Sequence, residues 1–358
     1  MSDLLVRRED PRQARIADSP VPDPASGQAV LRVDSVGLTA NNVTYALLGE
    51  AMSYWRFFPA EQGWGRVPMW GFAEVERSEA EGVDPGTRVY GFLPPSSHLL
   101  VTPAGSGEGG FVDGSPHRAE LPSAYHRYLA TGPDPFHRED TEDIQMLLRP
   151  LFFTSFLIDD QLADEGLLDR GPVLISSASS KTAIAAAYML SRREGSELIG
   201  LTSPANAEFV RSLDLYDYVV PYGEIGSLEQ REATFVDVAG DVEVRGALHS
   251  RLGDRLAHSM AVGMTHWQEG VGIDGPADLP GPPPTFFFAP TRVRKRAEDW
   301  GRHGLEERVA TAWAPFCEWT QGWLQVLRGS GFEDLRDGFL ELLDGGPGPS
   351  RARVISLR

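Results

Sequence analysis

The residues with the clearest chemical potential are Ile175-Ser-Ser-Ala-Ser-Ser-Lys-Thr182. An apolar run, Pro172-Val-Leu-Ile-Ser176, precedes them and an alanine-rich helical stretch follows. A turn between a strand and a helix holds a pyrophosphate on backbone N–H groups at the helix start. Glycines usually fill such a turn. Here Ser177, Ala178, Ser179 and Ser180 take their places, small enough for close approach, while Lys181 adds a charge and Thr182 a hydroxyl. A serine-rich N-cap without a ligand is the alternative. A nucleoside-triphosphate loop is excluded, because its two glycines are missing.

The second informative stretch is Leu201-Thr-Ser-Pro-Ala-Asn206. An NAD site has a carboxylate there to accept from the ribose 2′-OH. Thr202, Ser203 and Asn206 are neutral and suit a 2′-phosphate, which points to NADPH. Ser203 before Pro204 also reads as an ordinary helix start, and the two readings are compatible. Metal chemistry is not expected. Cys317 is the one cysteine, and the eight histidines show no ligand spacing. Gly-x-Ser-x-Gly is absent, so no nucleophile elbow is read.

The elements that must position these residues alternate. Strands are expected near residues 172–176, 197–201, 218–220, 234–238, 256–262 and 285–288, with helices at 182–193, 205–213 and 242–252. Strand–helix alternation with short connections predicts a doubly wound parallel sheet. Before it, residues 28–36, 67–75 and 87–92 read as strands of a small β-barrel, with turn chemistry at residues 82–86. Residues 1–30 read as polar and proline-rich, 103–118 as a mobile loop, 121–131 as a short helix and 134–143 as an acidic linker. A helix is expected over 144–160. Beyond the sheet come helices at 293–300 and 305–327 and a last strand at 351–357.

Composition narrows the function. The chain has 358 residues, 41% hydrophobic, room for two cored domains. A net charge of −18 argues against nucleic-acid binding. The basic stretch Arg292-Val-Arg-Lys-Arg296 reads as a solvated helix start, or alternatively as an anion contact. No apolar run nears the roughly 20 residues that span a bilayer, so no membrane role is expected. The first ten residues lack an apolar h-region, so no secretory signal is expected, and the cysteine count fits the cytoplasm.

Residues 28–38 resemble the opening strand of the GroES-like domain in medium-chain dehydrogenase/reductases, and Glu81-Gly-Val-Asp-Pro-Gly-Thr-Arg-Val-Tyr-Gly91 resembles another segment of it. The stretch 172–222 is similar to that superfamily's cofactor domain. Four motifs in order, at residues 39–45, 54–59, 150–157 and 176–183, resemble one bacterial branch classed as a domain of unknown function. The resemblance implies a GroES-like barrel over 1–140, completed by 291–358, and a Rossmann domain over 141–290. It implies cofactor contacts at Tyr222, Ala239, Gly240, Gly263, Met264 and Phe288, beside those of the turn and of the neutral tip. It places Asn41, Asn42 and Tyr45 among the active-site polar groups, with Tyr54 and Trp55 in the next loop near the pocket; a role as core aromatics is the alternative for Tyr45, Tyr54 and Trp55. Asn42 is expected to orient cofactor or substrate, and Tyr45 or Tyr54 to give a proton; Tyr125 and Tyr128 are reserves. The expected activity is NADPH-dependent reduction of a small molecule at an activated C=C or C=O. A ligand-binding protein that kept the fold and a non-redox lyase or isomerase are the alternatives. A homodimer is compatible with the resemblance.

Overall fold

The computed structural model describes residues 1–262 and 279–358, which divide into two compact units. One comprises Met1–Leu147 with Leu324–Arg358, the other Leu148–Trp323. The helical stretch Ala289–Thr320, grouped above with the barrel and broken into two helices at Gly301 (φ 74°), thus lies in the second unit, and only the last 35 residues return to the first.

The first unit is built on the long strand Ala29–Leu38, antiparallel to Met69–Ser78, which pairs with Arg88–Leu93. The sheet continues through Arg127–Ala130, Gly110–Asp113 and Pro103–Gly107. On the other side, Arg351–Ser356 runs antiparallel to Ala29–Leu38, and Gln325–Ser330 runs parallel to Arg351–Ser356. Leu31, Val33 and Val36 are fully buried, and their core includes Met69, Phe92, Tyr128 and Phe339.

Several expectations change here. Residues 1–30 contain a hairpin, Ser2–Arg7 with Ala14–Asp18, completed by Trp64–Gly65. The supposed loop 103–118 is also a hairpin. Its Asp113 side chain accepts from the amides of Thr102 and Ser115, both at 3.0 Å, and so closes both ends. In place of a helix at 121–131 stand one turn, Ser123–Tyr125, and the strand Arg127–Ala130. Residues 325–327, read as helical, open the strand Gln325–Ser330, and a helix follows at Gly331–Leu343.

The second unit holds a six-stranded parallel sheet. Its order is Tyr218–Pro221, Leu198–Thr202, Val173–Ile175, Ala233–Asp237, Leu256–Ala261, Thr285–Phe286. The central strands are apolar because helices cover both faces of such a sheet. The order reverses beside Val173–Ile175, and ligands of open α/β sheets sit outside the carboxyl ends of strands at that point. The helix Lys181–Leu190 starts there and buries Ala183 to Tyr188. The basic stretch is solvated only in part: Arg294 and Lys295 are exposed, while Arg292 and Arg296 turn inward. Arg292 and Arg296 are buried on Asp160 and Asp164 of the helix Glu142–Asp164, with Arg292 Nε 2.5 Å and Arg296 Nε 2.8 Å from Asp160.

Candidate functional site: a glycine-free phosphate turn and a tyrosine cluster

In the turn, Ser176 is buried. Its hydroxyl donates to Asp237 Oδ1 at 2.8 Å and accepts from the Ala239 amide at 2.9 Å. The Gly240 amide donates to the same carboxylate, and Arg245 Nε donates to its other oxygen at 2.8 Å. Ala239 and Gly240 are therefore fixed to the turn from the neighbouring strand end.

Ser177 is left-handed, with φ 52°, a conformation that favours glycine. Its amide donates to the Tyr222 hydroxyl at 2.9 Å. The Ala178 amide donates to Leu201 O at 3.0 Å. Ser180 is the N-cap of Lys181–Leu190 and accepts from the Ala183 amide at 3.3 Å. The Thr182 amide, in the same first turn, takes no acceptor among the described residues. Burial lowers the Lys181 ammonium to about 8.

At the neighbouring strand end, Thr202 is buried and Ser203 caps Pro204–Asn206 without a side-chain hydrogen bond. Asn206 Nδ2 donates to Ser179 Oγ at 3.0 Å, so the neutral tip and the serine turn form one surface. Phe288 is exposed at the start of Ala289–Thr320. Gly263 and Met264 lie outside the described residues. The donor set fits a phosphate group: a left-handed small residue, a helix start with an amide to give, hydroxyls, an ammonium and no carboxylate at the tip.

In the first unit, Asn42 turns out to hold the helix Ala40–Leu47 in place. Its Oδ1 accepts from the Thr39 amide at 2.7 Å, its Nδ2 donates to Pro68 O at 2.8 Å, and it is 2% exposed. That helix carries Tyr45, whose ring lies 4.5 Å from that of Tyr54. Tyr125 stands 6.4 Å from Tyr54, edge-on, with Phe57, Phe92 and Trp70 around them. Tyr45 and Tyr54 are buried and Tyr125 half-buried.

Burial raises all three phenols. For Tyr45, nearby Tyr125 adds to the rise and the neighbouring Trp70 and Asn41 side chains offset part of it, although the buried Trp70 indole N–H makes no full hydrogen bond among the described residues. For Tyr54, burial is joined by Tyr125 and Tyr45. Hydrogen bonding between Tyr54 and Tyr125 pulls Tyr125 back down against its burial. The segment bearing Tyr125 is pinned by a buried ion pair, Arg118 Nε to Asp113 Oδ2 at 3.2 Å. Tyr128 belongs to the core, its hydroxyl donating to Phe92 O at 2.9 Å. His126 is buried beside the Phe57 ring.

Sequence reading missed two residues. The Tyr216 hydroxyl lies 3.5 Å from Ala178 O and 3.4 Å from Ala183 O, and its ring occupies the space above Gly200. A glycine inside the apolar strand Leu198-Ile-Gly-Leu-Thr202 is the signal that could have found them, since it marks close approach by another chain segment. Among the described residues, no group of three His, Cys, Asp or Glu side chains could hold a metal ion, and no helix is long and apolar enough to cross a membrane.

The GroES-like barrel and doubly wound parallel sheet are the fold expected from the resemblance to medium-chain dehydrogenase/reductases. The chain belongs to the family described as "Protein of unknown function (DUF2855)", whose model matches residues 36–347. No protein of curated function matches it in sequence. Solved structures share the fold at low identity. A putative NADPH:quinone reductase from Mesorhizobium loti is 12% identical with a TM-score of 0.62, over 100% of this chain and 98% of that one. CurA from Vibrio vulnificus, in complex with NADPH, is 14% identical with a TM-score of 0.60, over 100% and 99%. The yhdH oxidoreductase from Salmonella enterica, in complex with NADP, is 15% identical with a TM-score of 0.54, over 100% of both chains.

Proposed function

We propose that the chain is an NADPH-dependent reductase acting on an activated C=C or C=O, such as an enone, a quinone or an enoyl thioester. The observation that carries this is the joined surface of Ser177–Thr182 with Thr202, Ser203 and Asn206, which offers phosphate donors and no tip carboxylate. The NADPH and NADP complexes of similarly folded proteins support it. Ser179, Ser180, Lys181 and the Thr182 amide would hold the pyrophosphate, and Ser203 and Asn206 the 2′-phosphate. Tyr222, Ala239, Gly240, Gly263, Met264 and Phe288 complete the proposed cofactor contacts. The bound nicotinamide supplies a hydride.

The tyrosine cluster supplies the proton. Its phenols are raised, so they stay protonated at neutral pH and act as donors, not bases. Tyr125 is the most exposed of the three and is favoured as acid by the Tyr54 hydrogen bond. Tyr125 would give its proton to the electron pair displaced on the substrate, and water would reprotonate it directly, because it is the most exposed of the three. Tyr54 would stay protonated and hold the Tyr125 hydroxyl. Asn42 acts by fixing the helix that bears Tyr45.

The test is calorimetric titration with NADPH and NADH, then turnover on a panel of enones, quinones and ketones. NADPH should bind with a Kd on the order of micromolar, typical of enzyme affinities. Asn206→Asp should weaken NADPH by about tenfold or more and spare NADH, because a carboxylate near the 2′-phosphate is repulsive. Binding of neither cofactor refutes the proposal. Binding without turnover favours a ligand-binding protein, and substrate loss without NADPH oxidation favours a lyase or isomerase.

A further inference from the structure

We infer that Tyr216 is a positioning residue that holds the glycine-free turn in its phosphate-binding shape, with Gly200 of the adjacent strand providing the room. The inference rests on the dinucleotide reading above and assigns a role to residues outside the turn itself.

Glycines in such a turn serve a tight bend, close backbone approach and close helix–strand packing. In this chain those tasks are distributed. Ser177 takes the left-handed bend, at φ 52°. Gly200 takes the packing: a Cβ there would stand 3.0 Å from Tyr216 Cγ and 3.1 Å from Ala178 Cβ. The strand glycine thus admits both the turn's alanine and the tyrosine ring, which a turn glycine would not require.

A serine in the left-handed region favours relaxation towards negative φ, so the turn needs bracing. Two hydroxyls provide it. That of Tyr222 accepts from the Ser177 amide at 2.9 Å. That of Tyr216 is directed at Ala178 O, before Ser179–Thr182, and at Ala183 O, after them. A single proton is shared between two acceptors at 3.5 and 3.4 Å, so each bond is weak and their value lies in fixing the span between them.

The backbone that delivers Tyr216 is itself fixed. Asp214, at φ 53°, turns the chain after the helix Ala207–Ser212. Asp217 then clamps the strand, its amide donating to Leu198 O at 2.9 Å and its Oδ2 accepting from the Leu198 amide at 2.8 Å. Burial raises the Tyr216 phenol, keeping the hydroxyl a donor.

The test compares the full-length wild type with Tyr216→Phe, Ser177→Gly and the double variant. The Phe variant keeps the ring over Gly200 and removes only the hydroxyl. It should weaken NADPH binding, measured by calorimetry, by about tenfold, the scale of one lost favourable contact. In the free protein, amide hydrogen exchange over residues 178–183 should quicken by a similar factor, with the rest of the sheet unchanged. Ser177→Gly, which removes the need for bracing, should restore both readouts in the double variant to within about threefold of wild type.

Unchanged exchange and affinity in Tyr216→Phe overturn the inference. So does a defect that Ser177→Gly does not rescue, since the hydroxyl would then act on something other than the strained bend. Failure of the wild type to bind NADPH defeats the cofactor reading and with it the phosphate-binding role, while exchange still reports whether the brace exists. Should Tyr216→Phe not fold alone, Ser177→Gly is compared with the double variant, where the inference expects affinity and exchange within about threefold of each other and a difference of about tenfold overturns it.

Discussion

Replacing Ser177 tests the strain in the turn directly. A left-handed conformation costs an L-residue about 1–2 kcal/mol, and Ser177 sits at φ 52°. Glycine relieves that cost in the folded chain but adds roughly 0.4–1 kcal/mol of backbone entropy to the unfolded one. The net expectation for Ser177→Gly is a stabilisation of about 0.5–1 kcal/mol. Losing the hydroxyl confounds that comparison, so Ser177→Ala is the proper partner: it loses the same group and keeps the strain. Gly should therefore exceed Ala by about 0.5–1.5 kcal/mol. In a domain of 150–250 residues, each kcal/mol moves Tm by roughly 2–4 °C. Both variants are measured by urea unfolding and by thermal melting without cofactor, following the transition of the parallel-sheet unit. The Ser177 amide can still donate to Tyr222 in either variant, so that hydrogen bond cancels. An alanine variant as stable as the glycine variant would falsify the argument, because the left-handed bend would then carry no strain.

Gly200→Ala should destabilise the second unit by about 1–3 kcal/mol, because its Cβ meets the Tyr216 ring and Ala178; a urea midpoint equal to wild type would show that both give way freely. Arg292→Ala should cost about 1–3 kcal/mol in the same assay, since it removes one of two buried arginines on Asp160 while Arg296 stays paired. Lys181→Met should stabilise the free protein near pH 7. Folding lowers the Lys181 ammonium to about 8 from an unfolded value near 10.4, so the folded state holds that proton less tightly than the unfolded chain. The penalty is complete below about pH 8 and disappears as pH rises through the unfolded value. The advantage of Met in urea titrations should therefore shrink between about pH 8 and 10, and a constant difference would count against it.

Much of the second unit was legible because its strands are short apolar runs between helical stretches, as in Val173–Ile175 and Ala233–Asp237. The helix at 242–252 has clear limits, Asp241 capping the amides of Glu243 and Val244 and Gly253 ending it. The first unit was less legible. The hairpin of Ser2–Arg7 and Ala14–Asp18 has a partly exposed edge strand with charged side chains, so it lacks a strong apolar pattern. Gly110 looked like loop material, yet it lets the strand Gly110–Asp113 pass Tyr128, whose carbonyl oxygen would stand 2.0 Å from an added Cβ. The basic stretch could not be told from a solvated helix start, because its partners Asp160 and Asp164 are more than a hundred residues away in the chain.

The candidate site divides in the same way. The sequence by itself determined that residues 175–182 form a small, serine-rich turn between strand and helix, and that the next strand ends in neutral residues. Both follow from residue type and local order, which short-range physics sets. Only the tertiary structure decided that Ser177 adopts the left-handed bend, that Asn42 is fully engaged in holding a helix, that Tyr45, Tyr54 and Tyr125 meet in one cluster, and that Tyr216 and Gly200 support the turn from a neighbouring strand. Those outcomes depend on segments brought together by the sheet order. A dihedral, a burial or a shared hydrogen bond is a property of that meeting and has no signature at a single position.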